Sequence, residues 1–313
     1  MLFALHIGAM IGNPYLSAPK LLSPQEIENI VQKQKYLDFT WHDPEVDFNF
    51  SYNDGELGFS LTTLTLPVGC EGYFHQFFQD DTMFFAYTMG SAKEKLSIPR
   101  ACPDFGSDYY TANPRQFKHL QYPTSIILEQ LIDYIKNHNI VFYTGAGLSV
   151  VSGVPSMAQL ENSLYIEKNN RPNVQKIIAH SDEILRAIER FCEDSVSAQP
   201  SVGHYAIVDL SQKKQCAIFT ENIDLLHQKS GILPLMVNGN LKKDRQYFQE
   251  IDAIICVGLS YDDRGLLSLY KDNNPNGLII AINLHQPNYL GSEDLLVTGD
   301  LQEILPALAS AIK

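Results

Sequence analysis

The sequence predicts an α/β fold, a parallel sheet with helices on both faces, preceded by an α+β region. Three observations carry this prediction. Short continuous apolar runs recur at Asn139–Thr144, Gln215–Thr220, Leu233–Val237, Ala253–Val257, Leu278–Ile282 and Leu295–Thr298. Segments of helical period separate them, and strands buried on both faces need such cover. The texture also changes near Pro114–Pro123, because the part before it is rich in aromatics and alternates with period two.

Taken in order, MLFALHIGAMIGNPYLSAPK has no Lys or Arg before its apolar run and reads as a buried strand rather than a leader. Ser23-Pro24-Gln25-Glu26 is a helix start: Ser23 caps, proline sits in the first turn, and Glu26 closes a capping box. That helix is expected to reach about Leu37. Phe48–Leu66 holds two alternating runs around Asp54-Gly55, a strong hairpin signal, and Gly72–Gly90 supplies further strands. His42 and His75 read as ordinary surface or core residues. Residues 1–120 are thus an α+β region of unassigned type, and 121–313 form the parallel-sheet domain. Ser125–Lys136 sets Ile126, Ile127, Leu131, Ile132 and Ile135 on one helical face, and LQEILPALASAI closes the chain as a helix.

The 313 residues are 45% apolar and 19% charged, ordinary for a soluble globular protein, with a net charge of −13. That charge argues against a nucleic-acid binder, because nothing would drive counterion release. No run approaches the roughly 20 apolar residues that span a bilayer. The five cysteines are scattered and form no C-x-x-C, which argues against a four-thiolate zinc site and for a reducing, cytoplasmic compartment. No metal is expected.

Chemistry concentrates at the carboxyl ends of the predicted strands, where ligands of open α/β sheets bind. VFYTGAGLSVVSGVP (Val141–Pro155) places a glycine turn where a backbone can approach a diphosphate, although any tight strand-to-helix turn can use the same residues. FTENIDLLHQKSG (Phe219–Gly231) presents Glu221, Asn222 and Asp224, as ribose and amide ligands or, for Asp224, as a helix cap. ICVGLSYDD (Ile255–Asp263) adds Gly258 and Ser260, and Asn283 ends IIAIN.

In order and spacing these motifs resemble the sirtuin family. Its G-A-G-x-S-x-x-S-G-I-P appears as Gly145–Pro155, and its T-Q-N-I-D-x-L-H-x-x-A-G as Thr220–Gly231. Its G-T-S appears as Gly258-Leu259-Ser260, and its closing G-D-A-x-x-x-L-P-x-L as part of Val297–Leu308. PSVGHYAIVDL matches the helix before the second motif, which makes His204 structural. The resemblance covers about Pro123–Lys313 and implies a Rossmann-like NAD-binding fold. By it, Gly145, Ala146, Gly147 and Ser149 hold the NAD diphosphate beside Gly258 and Ser260. Asn283 meets the adenosine ribose, and Asn222 and Asp224 lie at the nicotinamide ribose and carboxamide.

The departures are as informative. The family's general base, the histidine of an H-G pair, is here Asn238 of Asn238-Gly239, and an amide takes no proton near neutral pH. Asn240–Asp252 is too short for the family's four-cysteine zinc module. The missing module leaves a reduced helical small domain over about 156–199, and Ser156-Met157-Ala158 in place of the family's D-F-R loses an aromatic and an arginine that, by the resemblance, help shape the nicotinamide pocket. Glu221 replaces a glutamine, and its carboxylate either stabilises positive charge during N-glycosidic cleavage or serves as a passive ribose ligand or cap. The expected function is NAD cleavage by hydrolysis or ADP-ribosyl transfer, with Glu221, Asn222, Asp224 and Asn238 nearest the chemistry. A silent NAD or ADP-ribose sensor is the alternative and residual protein deacetylase activity a third option. A protein substrate is compatible with the first and third.

Overall fold

A computed structural model describes residues 18–33, 36–42, 46–53, 56–63, 71–79, 82–90, 115–156, 159, 162–163, 181–237, 246–262 and 264–313. The chain divides into two compact units. One takes described residues from 25–90 and 153–198, and the other takes 18–24, 115–152 and 199–313.

The first unit begins with α1 (Pro24–Lys33) and continues into β1 (Tyr36–His42), β2 (Val46–Asn53), β3 (Glu56–Thr63), β4 (Glu71–Gln79) and β5 (Thr82–Gly90). These strands form an antiparallel meander in chain order. Asn53 pairs with Glu56, so β2 and β3 pair antiparallel as expected, and Asp54-Gly55 lie outside the described residues. The helix stops at Lys33 instead of reaching Leu37. The aromatic and β-branched run from Tyr36 finds a partner in β2, and sheet pairing wins over helical continuation. The expected strand at the amino terminus lies largely outside the described residues.

The second unit is a seven-stranded sheet among the described residues, all of its pairs parallel. Its elements are β6 (Thr124–Ser125), α2 (Leu128–Asn137) and β7 (Ile140–Thr144). Past α3 (Ser181–Ser197), which belongs to the other unit, follow α4 (Val202–Lys214), β8 (Ile218–Thr220), α5 (Leu226–Lys229) and β9 (Leu235–Met236). The unit ends with β10 (Ala253–Val257), α6 (Leu266–Asn273), β11 (Leu278–Asn283), β12 (Leu295–Thr298) and α7 (Leu301–Ala311).

The spatial order is β6-β12-β11-β10-β7-β8-β9. Strand alternation sends Ile140 and Phe142 into one core with Leu131, Ile207, Leu210 and Leu305, under α2, α4 and α7. Val141 and Tyr143 enter the other with Phe248, Leu266 and Tyr270, under α6 and a 3-10 turn at Gln246–Glu250. The Rossmann-like expectation therefore holds. Several ends move: β8 starts at Ile218 because Gln215 adopts φ 50° to close α4, and Cys216 N–H donates to Ser211 O. Ser125 belongs to β6, so α2 begins only at Leu128.

The order places a topological switch at β7. The chain runs from β7 to β8 and β9 on one side, then crosses to β10, β11 and β12 on the other. A crevice beyond the strand ends at such a point is the ligand site of doubly wound sheets.

Candidate functional site at the strand ends

The switch point is built from two turns locked together. After Thr144, Gly145 N–H donates to Val257 O at 3.0 Å and Gly147 N–H to Gly258 O at 2.9 Å. The turns approach so closely that a Cβ on Gly145 would lie 2.7 Å from Leu259 Cα, and one on Gly147 2.7 Å from Gly258 O. Gly258 itself has φ +60°, the left-handed region that glycine alone enters freely. Ala146–Leu148 forms a 3-10 turn, with Ser149 N–H donating to Ala146 O at 3.0 Å. Gly258 N–H donates to Ile282 O at 3.1 Å, and Asn283 Nδ2 to Leu259 O at 3.1 Å. Ser260 lies exposed just beyond.

The corner after β8 ties into this frame. Asn222 Nδ2 donates to Gly145 O at 3.0 Å and Ser149 Oγ at 3.3 Å, and its N–H donates to Thr220 Oγ1 at 3.0 Å. Asp224 is buried and its Oδ1 accepts from Leu226 N–H at 2.9 Å. Burial raises its carboxyl pKa, against the hydrogen bonds from Ser149 and Leu226. Glu221, half-buried, accepts a hydrogen bond from the Tyr143 hydroxyl. Burial first, then the Glu221 charge, push the Tyr143 phenol well above its ordinary value, which keeps it a donor.

Two imidazoles lie beneath. His204 Nδ1 caps α4 at Ser201 N–H, 3.1 Å, and its Nε2 faces Ser149 Oγ at 3.5 Å. His227 Nε2 lies 2.8 Å from Thr144 Oγ1, which bonds Thr220 Oγ1 at 2.8 Å. Burial lowers the pKa of His227 to about 4, and burial with the neighbouring His227 lowers that of His204 to about 3. Both are neutral, and both brace the strand ends.

Hydrogen bonds thus connect Gly145, Gly147, Ser149, Asn222, Asp224, Gly258 and Asn283 in one frame, with Ala146, Glu221 and Ser260 adjoining it. Asn238 lies outside the described residues, as do 157–158, 160–161 and 164–180 of the helical stretch expected from 156. Ser156 is described: its Oγ accepts from Gln159 N–H at 3.3 Å, and its N–H donates to Gln159 Oε1 at 2.8 Å, a reciprocal helix start. Sequence reasoning missed Tyr143, Thr144 and His227. For Tyr143 and Thr144 the available signal was a polar residue within or ending an otherwise apolar strand; His227, on a helix, offered no such signal. The donor set suits a dinucleotide, with an exposed hydroxyl, amides on both sides of the switch and a carboxylate at one end. The space vacated by the glycine side chains is filled by the facing turn.

The model of the Sir2 family matches residues 145–246, which include the glycine turn and the Glu221–Asp224 corner. Over these residues the chain is similar to the sirtuin family. Among curated sirtuin relatives, an NAD-dependent protein deacetylase of Staphylococcus epidermidis is 34% identical over 112 residues, 33% of this chain and 45% of that protein. An NAD-dependent protein deacylase 2 of Archaeoglobus fulgidus is 34% identical over 100 residues, 31% of this chain and 38% of that protein. The chain spans less than half the length of these relatives. A solved Sir2 homolog–NAD complex is 18% identical, covers 63% of this chain and 97% of its own, and has a TM-score of 0.47.

Proposed function

We propose that this protein is a divergent sirtuin that binds NAD at the β7 switch point and cleaves its nicotinamide N-glycosidic bond, giving hydrolysis or ADP-ribosyl transfer. The observation that carries the reading is the bond between the two motifs, Asn222 Nδ2 to Gly145 O, which fixes the acidic corner against the glycine turn. The nucleotide-binding domain is taken as about 121–313, with 156–199 as its reduced helical part. Gly145, Ala146, Gly147, Ser149, Gly258 and Ser260 serve the diphosphate, Asn283 the adenosine ribose, and Asn222 and Asp224 the nicotinamide end.

NAD is the substrate. The ribose carbon–nitrogen bond breaks and its electron pair leaves with nicotinamide. Water or a protein side chain then bonds the ribose carbon and gives up its proton. Glu221 stabilises the positive charge that develops, as carboxylates do in glycoside cleavage. Asn238 offers no general base, and such a base contributes typically 10²–10⁴ in rate, so lysine deacylation is weak. The site needs no metal.

A second reading, a silent NAD or ADP-ribose sensor, is favoured by one feature: Glu221 and Asp224 already have partners within the protein. Nicotinamide release from NAD separates the two. Release that is strongly slowed in Glu221→Gln supports cleavage, and binding without release supports the sensor.

A further inference from the structure

We infer that Tyr143 is a positioning residue that holds the Glu221 carboxylate in place for cleavage, an inference that rests on the reading above. Tyr143 is the penultimate residue of β7 and is fully buried. Parallel register sets it beside Phe219, two residues before Glu221, so a side chain from the central strand reaches the residue just past the end of its neighbour. On its other side it pairs with Cys256 of β10. Among the apolar residues of that face the phenol has to find an acceptor, and it donates to Glu221 Oε1. The backbone holds the same corner, with Glu221 N–H donating to Thr144 O at 3.4 Å.

A glutamate at a loop corner has three rotatable bonds, and its charge wanders unless something fixes it. Anchored to a phenol that cannot move, the carboxylate keeps one orientation, and pre-set charge contributes to catalysis without reorganisation at the moment of reaction. Burial keeps the phenol protonated through the neutral range, so its role is that of a donor and not a base.

The test compares wild type, Tyr143→Phe, Glu221→Gln and the double variant in nicotinamide release, with NAD affinity measured by calorimetry. Tyr143→Phe is expected to lower kcat about 10- to 100-fold, the worth of one hydrogen bond to a charged group, with KM and NAD affinity within about twofold. The double variant is expected to be no slower than Glu221→Gln, because the hydroxyl acts only through the carboxylate. With tyrosine labelled with 13C at Cζ, the resonance that Tyr143→Phe removes is expected to shift in Glu221→Gln. Wild-type kcat in Tyr143→Phe, or an equal loss in the Glu221→Gln background, overturns the inference while NAD cleavage stands. Should Tyr143→Phe not fold, a tyrosine spectrum unchanged by Glu221→Gln overturns it as well. A wild type that releases no nicotinamide overturns the functional reading, and this inference with it.

Discussion

Substituting Gly258 by alanine tests the frame that brings the two motifs together. The new Cβ would lie 2.6 Å from the Leu148 amide nitrogen and 2.8 Å from the Gly147 carbonyl carbon. These are backbone atoms, so no side chain can swing away, and the turns must part by about 0.8 Å to restore ordinary contact. That movement stretches the 2.9 Å bond from Gly147 N–H to Gly258 O beyond hydrogen-bonding distance, a loss of about 1 kcal/mol. Holding an alanine at φ +60° costs about another 1–2 kcal/mol. The expected destabilisation is about 2–3 kcal/mol, read by urea unfolding with an unchanged slope. Gly153→Ala is the control: its φ is +89° but nothing lies within 4 Å of the added atom, so only the backbone cost applies. A loss at Gly258 below about 0.5 kcal/mol, the level of an indifferent surface change, refutes the locked-turn account.

Acid should also weaken the protein. His204 and His227 refuse protons in the folded state down to about pH 3 and pH 4, whereas unfolded imidazoles take them up below about 6.5. Stability is therefore full above pH 6.5 and falls with acid, by about 2 kcal/mol per imidazole at pH 5; urea midpoints at pH 7 and 5 measure this, and His204→Gln should flatten the dependence. Asp262 is fully buried and accepts from Arg115, Leu267 and Ser268 N–H at 3.0, 3.1 and 3.2 Å. Asp262→Ala should cost about 3 kcal/mol in the same assay. Asn222→Ala removes both side-chain ties to the glycine turn and should weaken NAD binding at least about tenfold, about 1.4 kcal/mol, by calorimetry. Asn238→His should leave an acetyl-lysine peptide largely uncleaved, measured by release of free lysine side chains, because a base alone does not supply a peptide cleft.

The parallel sheet was legible because burial on both faces leaves uninterrupted apolar runs, as in IVFYT and AIICV. Strand and helix ends were less so. Gln215 looks like the start of a strand in the sequence, yet its position is set by hydrogen bonds to the last turn of α4. Ser125 has helical spacing, yet it bonds β12 instead. At the site, the motifs named the right corners because each follows an apolar run. Their mutual bonds were not readable, since Asn222 and Gly145 are 77 positions apart and meet only through β7–β8 pairing. Tyr143 hid for the same reason: within one strand it reads as core, and its hydroxyl acquires a role only from the neighbouring strand.

Calorimetry with NAD and with ADP-ribose tests the central claim most directly. Saturable heat from both ligands, abolished or strongly reduced in Gly258→Ala and Asn222→Ala, is the predicted result. No heat from either ligand with the folded wild type would contradict the assignment of this strand-end frame to a dinucleotide.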